Sequence, residues 1–306
     1  MEIEDSRRIF KKNTISNYKK ANVIKELEKS IYYHKTEEAF FWTGQLLCSG
    51  FIIEIWNLYI YFVCKYIHIH NPKITLYLYK KFIEFKEISE TCSNDFELRN
   101  IDNVRFILFS ITQILSECKK DTTLDTLKFV FNFEDVFQNL KAPNVDYIKP
   151  FFKDGDPKEL FISLNEFVYH LVETKSKIDI LYWIDWIIGY DEMLQKKKKA
   201  IFCERRDFIK TRHLNIIWIL FEIYFSFKES VMLTKVIEAL FEFFTIKYTP
   251  SSNKKRKYIL NYCVMLIISD NIDFNKPIIE NTGVFTHLKD NIELIFSQIK
   301  KSEVIE

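Results

Sequence analysis

Glycine and proline are scarce in this chain, at 5 and 6 among 306 residues. So few turn-formers leave few tight turns, which argues against a meander of short strands and for long helices. The glycines form neither G-x-x-x-x-G-K-[ST] nor G-x-G-x-x-G, so no phosphate-cradling loop of the usual kind can be built. The six cysteines, Cys48, Cys64, Cys92, Cys118, Cys203 and Cys263, contain no CxxC pair. In a chain of this length they read as reduced, mostly buried thiols of an intracellular protein. No charge of one sign prevails: 44 Lys and Arg face 42 Asp and Glu, a net charge of +2. Nucleic-acid contact would therefore need a local patch. The opening MEIEDSRRIFKKN has no apolar core and is not a secretory signal. The longest apolar run, 51–69, is interrupted by Glu54, Asn57 and Lys65. A charge in mid-run is costly in lipid, so the run reads as a buried helix.

What is abundant is apolar and aromatic. Hydrophobic residues make up 48% and aromatics 16%, enough to order most of the chain around a real core. The richness in Lys, Ile, Asn, Phe and Tyr matches an AT-rich coding sequence. That source cautions against assigning a function to each Phe or Lys.

The spacing predicts an all-α fold of two packed helical halves. Residues 1–20 form a basic arm, free or laid on a partner. Val23, Ile24, Leu27 and Ile31 recur at helical intervals, so a helix is expected over 21–34. Thr36 offers an N-cap to a second helix, with Glu37 and Glu38 in its positive first turn and Ser49-Gly50 as its stop. The 51–69 helix is apolar on most sides and is expected to be the most buried of its half. It ends at Asn71-Pro72. Further helices are expected over 73–88, 96–118 and 123–140. KAPNVDYIKPFFKDGDP, 141–157, holds three of the six prolines and is read as the linker between the halves, 21–140 and 158–306. Helices then follow over 158–173, 177–190, 214–227, 230–248, 252–269 and 288–300.

Little of the usual catalytic chemistry is in place. His68 and His70 stand two apart, whereas ligand pairs on a helix favour three or four, and no third ligand is near. Glu37-Glu38 and Asp191-Glu192 sit at helix ends, where dipole and solvation explain them. Only Cys203 lies in a basic context. No catalytic residue, cofactor site or metal site is assigned. The basic clusters are the candidate nucleic-acid contacts: Lys196, Lys197, Lys198, Lys199, Arg205, Arg206, Lys210 and Arg212, then Lys254, Lys255, Arg256 and Lys257. Phe202, Phe208 and Tyr258 interleave with them, as on single-strand surfaces. Solvated helix ends are the plain alternative. Trp42, Trp56, Trp183, Trp186 and Trp218 lie on apolar helical faces, where core packing is the default and a partner interface the alternative.

The runs KKNTISNYKK, EEAFFWTGQLLCSGFIIEIWNLYIYFVCKYIHIHNP and ILYWIDWIIGYDEMLQKKKK…CERRDF…IIWILFEIYF resemble an uncharacterised protein family of the nucleocytoplasmic large DNA viruses. That resemblance implies a viral origin and brings no assigned activity. The order of elements over 23–74 is similar to the helical collar of clamp-loader-like ATPases, a region that oligomerises. The ATPase domain and the arginines usual in the second collar helix are missing, which leaves a similarity of hairpin packing. Together these expectations describe a non-enzymatic helical adaptor or scaffold of a large DNA virus. It would act in replication or transcription inside the infected cell, in the cytoplasm or virus factory. Protein partners, nucleic-acid contact and self-association are expected, and no membrane span. The alternative is a structural component of the virion, a minor capsid or core protein.

Overall fold

Most helices form where the apolar spacing places them, and among the described ones a side chain caps the N-terminus of two, those after Asn94 and Ser230. The computed structural model describes residues 10–120, 124, 129–280 and 282–304, and every structural statement below concerns these residues. Among them are thirteen α-helices and no β-strand, an all-α protein. No described helix is long and apolar enough to cross a membrane. The chain divides into two compact units, Met1–Asp121 with Asn275–Glu306, and Thr122–Phe274.

The first unit contains α1 (Lys20–Tyr32), α2 (Thr36–Cys48), α3 (Ile52–Phe62), α4 (Lys73–Thr91), α5 (Asp95–Asn100) and α6 (Asp102–Glu117). Thr36 is already helical and its hydroxyl caps nothing, since Lys35 is the N-cap and makes no side-chain capping bond. The stop of α2 is as read. Gly50 sits at φ +74, and the Gly50 and Phe51 amides donate to the Leu47 and Leu46 carbonyls at 3.0 and 2.9 Å. A residue in the left-handed region closes that turn without steric cost only when it lacks a Cβ. The α3 run does not stay α-helical to its end. It widens into a π turn, Val63–Ile67, and tightens into a 3-10 turn, His68–His70. The helix expected over 96–118 is two, because Ile101 is extended at φ −77, ψ 118.

The most enclosed helix of this unit is α6, with twelve of its sixteen residues buried against seven of eleven in α3. The reason is packing on several sides, since α1, α2, α4 and the C-terminal helix all meet α6. Of its buried polar side chains, Thr112 is satisfied by a network inside the unit. Tyr59 Oη donates to the Leu108 carbonyl at 3.0 Å and lies 2.7 Å from Thr112 Oγ1, which is 2.9 Å from Thr43 Oγ1. The described part of the basic arm is not free. Ile15 is buried, its amide donates to Ser49 Oγ at 2.8 Å, and its carbonyl accepts from Val304 N at 3.1 Å. Residues 1–9 of the arm lie outside the described residues.

The second unit contains α7 (Phe161–Tyr169), α8 (Lys177–Lys196), α9 (Ile217–Ser226), α10 (Val231–Thr245), α11 (Ser252–Lys255) and α12 (Lys257–Ile268). Its central element is α9, apolar on almost every side, with Trp218, Phe221 and Tyr224 buried among Phe241, Phe244 and Phe167. The 123–140 helix is not present in the part that is described: 129–140 holds only a 3-10 turn, Glu134–Gln138. Phe131 and Phe133 pack instead on Trp186 and Tyr190. The proline-rich 141–157 segment is a packed part of this unit. Glu166 accepts from the Lys141 and Ala142 amides at 2.9 and 3.0 Å, and Ile148 is fully buried. The chain then returns to the first unit with α13 (Leu288–Lys301), whose stripe Leu288, Ile292, Ile295, Phe296 and Ile299 is buried there.

Candidate nucleic-acid interface

Asp191 is 3% exposed, near the C-terminal end of α8, and gathers three separate pieces of chain. Its Oδ2 accepts from Gln195 Nε2 at 2.8 Å, Asn215 Nδ2 at 2.9 Å and Asn253 Nδ2 at 3.3 Å. Asn253 Nδ2 also donates to Asn215 Oδ1 at 2.9 Å, and Tyr248 Oη donates to Asn253 Oδ1 at 2.8 Å. Burial pushes the Asp191 carboxyl up, and the three amide donors act against that. A buried carboxylate keeps its place only when hydrogen-bonded, so this hub fixes the end of α8, the approach to α9 and the short α11 relative to one another.

Each of these pieces carries exposed cations. Past Asp191, α8 ends at Lys196 and is closed by Lys198 at φ +57, where the Lys198 and Lys199 amides donate to the Gln195 and Leu194 carbonyls at 3.0 and 2.9 Å. The side chains of Lys196, Lys197, Lys198 and Lys199 are exposed there, and cations at a helix C-terminus are favoured by the dipole. Lys254 and Lys255 are exposed on α11, and Lys254 Nζ bonds Glu192 Oε2 at 3.2 Å, which brings α11 against the same end of α8. Arg212 is exposed three residues before Asn215.

Other members of the clusters are already engaged, Arg206 inside the fold and Arg205 and Lys210 at its surface. Arg206 is 1% exposed; its Nη1 and Nη2 each lie 2.5 Å from an Asp156 oxygen, and its Nε donates to Glu222 Oε2 at 2.7 Å. The Glu204 and Phe151 carbonyls accept its remaining N–H groups. The guanidinium is thus buried with its counter-charges and cannot meet a phosphate. Arg205 turns its Nη1 to the Ile209 carbonyl at 2.9 Å, and Lys210 pairs with Glu242 at 2.8 Å. Arg256 Nη1 donates to the Phe244 carbonyl at 2.5 Å, and Lys257 joins α12 to α8 through Asp185 at 2.5 Å. The interleaved aromatics divide as well: Phe202 is exposed, while Phe208 packs on Phe225 and Phe241. Sequence order could not separate these residues, because Arg206 owes its partners to Asp156 and Glu222, far away in the chain.

The tryptophans divide the same way. Trp56, Trp183, Trp186 and Trp218 are at most 3% exposed and belong to the two cores, so none offers a ring to a partner. Trp42 alone is half-buried, with Tyr18 and Phe41 on its edges. Cys203 is buried with its thiol donating to the Asn215 carbonyl at 3.1 Å, and burial pushes it up to about 11, which makes it a poor nucleophile. His68 is fully buried, and no group of three His, Cys, Asp or Glu suited to a metal exists among the described residues.

Two polar sites escaped the sequence reading. One is the Asp191–Asn215–Asn253 hub, whose only signal was polar residues abutting apolar runs. The other is His170, 1% exposed in a π turn, His170–Thr174, after α7. Its Nδ1 lies 2.9 Å from Thr174 Oγ1 and 3.9 Å from Asp179 Oδ2, and its Nε2 lies 3.7 Å from Glu166 Oε2. Compared with known proteins, the chain matches no family model, no curated protein and no solved structure.

Proposed function

We propose that the protein is a non-enzymatic helical adaptor whose second unit contacts nucleic acid through Lys196, Lys197, Lys198, Lys199, Arg212, Lys254 and Lys255. The observation that supports this reading is the buried hub, which holds the three cation-bearing segments to one end of that unit. Non-specific binding needs several phosphates neutralised on one surface, and a fixed group of exposed lysines supplies the charge. The neighbouring Glu192 neutralises part of Lys254 and sets a limit on the patch. The setting, replication or transcription in a large DNA virus with protein partners, rests on the resemblance of the aromatic runs to that viral family.

The test is fluorescence anisotropy with single-stranded and duplex oligonucleotides over a range of salt. Binding should weaken with salt, with a slope of about −0.9 per phosphate neutralised on duplex DNA and about −0.7 on single strands. Replacing the four lysines of 196–199 by Gln should lower affinity and flatten the slope. Arg206 must be left alone in this experiment, because its loss would disrupt the loop whatever the patch does. An unchanged slope in the lysine variant would reject the patch.

A further inference from the structure

The first unit contains a cleft of about 830 Å³, within the size of small-molecule sites, roughly 300–1,000 Å³. It lies where the turn after α1, the C-terminal end of α6 and the segment 276–280 come together. Its cations, Lys119, Lys120 and Lys276, outnumber Glu117 and Glu280, and His34 adds an imidazole. Lys120 Nζ donates to the Ser116 carbonyl at 2.6 Å and lies 3.1 Å from His34 Nδ1. An ammonium has three N–H donors, so one remains. Lys276 Nζ donates to the His70 carbonyl at 3.2 Å, which leaves it donors at the cleft as well. The carbonyl end of α6 disfavours an anion here, and Lys120 on the Ser116 carbonyl offsets that.

A second observation concerns Asn71, which is 8% exposed and lines the same cleft. Its Nδ2 donates to the Pro277 carbonyl at 2.7 Å, while its Oδ1 has no hydrogen-bond partner among the described residues. A buried amide oxygen left without a donor costs free energy, and a ligand hydroxyl would satisfy it once a small turn of the Asn71 side chain uncovers the oxygen at the cleft.

We propose that this cleft binds a small hydroxylated oxyanion, held at its charged end by Lys120 and Lys276, with Asn71 Oδ1 accepting from its hydroxyl. His34 acts as a positioning residue for the Lys120 amine. A phosphate monoester of a polyol and a hydroxy acid share this chemistry, and the arms of the test separate them.

The experiment is calorimetric titration of the full chain at neutral pH and low salt with glycerol phosphate, glycerate, methyl phosphate and sodium chloride at matched ionic strength. Saturable binding is expected for one of the two hydroxylated anions, and whichever binds more tightly fixes the class. Methyl phosphate, which lacks the hydroxyl arm, should bind more weakly than glycerol phosphate. Lys276→Gln and Lys120→Gln should each weaken binding about tenfold, the order of one charge-assisted hydrogen bond. Lys276→Gln keeps the test sound if the other variant disturbs the end of α6. A further readout is pH. Burial pushes the Lys120 amine down to about 8, against the opposing pull of Cys118 and Glu117. Binding should therefore fall as the pH rises through that value, and Lys120→Gln should flatten the profile. Heats no different from those of chloride would overturn the proposal. So would affinity that survives both substitutions, or that falls equally when the 196–199 lysines are replaced.

Discussion

His170 is enclosed where α7 gives way to a π turn, with the Glu166 and Asp179 carboxylates on either side. Burial lowers its proton affinity, and that outweighs the two carboxylates, while Lys141 adds to the lowering. Glu166 is already occupied, since it accepts from the Lys141 and Ala142 amides. A base whose folded pKa lies below its unfolded value is stabilising at high pH. Its contribution is complete above about 6.5 and is lost as the pH falls from there toward the folded value, because the unfolded chain takes up the proton first. Urea midpoints measured from pH 7.5 down to pH 5.5 should therefore fall more steeply for the native protein than for His170→Gln. The other histidines are common to both proteins and cancel in the difference. Parallel curves would mean that the fold leaves the proton affinity of His170 unchanged, and a shallower fall in the native protein would mean that it is held protonated beside a carboxylate. The i,i+4 spacing of Glu166 and His170 was legible as a shared helix face, whereas the approach of Asp179 from the next helix was not.

At the scale of elements, α2 meets α13 through Gly44. A Cβ built there would lie 2.6 Å from Ile299 Cδ1 and 3.0 Å from Ile295 Cγ2. Glycine inside a helix is ordinarily less stable than alanine by roughly 0.5–1 kcal/mol. Here the close approach should reverse the sign, because Ile295 and Ile299 are buried and have little room to give. Gly44→Ala should destabilise the first unit by about 1–3 kcal/mol, the usual cost of overpacking. Adding Ile299→Val should recover part of that loss, and a thermal-unfolding double-mutant cycle reads the coupling. Additive effects would place the crowding elsewhere. Elements were the most legible level of this chain: α2 stops at Cys48 before Ser49-Gly50 as expected, and starts one residue early because Lys35 rather than Thr36 is its N-cap. The failures have a common cause in unusual chemistry at the breaks. The stop at Gly50 is announced by glycine, but the same pair of carbonyl bonds ends α1 at His34, φ +59, and α8 at Lys198, φ +57. Neither residue advertises a left-handed turn, and α8 runs six residues beyond the expected Tyr190. The split at Ile101 and the π turns likewise carry no glycine or proline to mark them.

For the whole molecule, composition pointed to 141–157 as the break, whereas the compact units divide at 121/122 and again at 274/275. Proline content reports local backbone restriction. It says nothing of which core a segment's apolar side chains enter, and Ile148 enters the second. The apolar stripe of α13 showed that this helix needs a partner without showing which. In the fold its Phe296 lies 6.1 Å from the Phe109 ring and 4.3 Å from the Arg105 guanidinium. Five buried side chains from α13 contribute to the first unit, each worth roughly 1.5–3 kcal/mol of transfer free energy. Their sum is comparable to the net stability of an ordinary domain, about 5–15 kcal/mol. A chain ending at Phe274 should therefore lose amide protection in α2 and α6, as read by hydrogen exchange with mass spectrometry. Protection in α8, α9 and α12 should persist, because Thr122–Phe274 is continuous and contains its own core. Equal loss of protection in both sets would instead make the chain a single cooperative block, in which the second core cannot stand without the first.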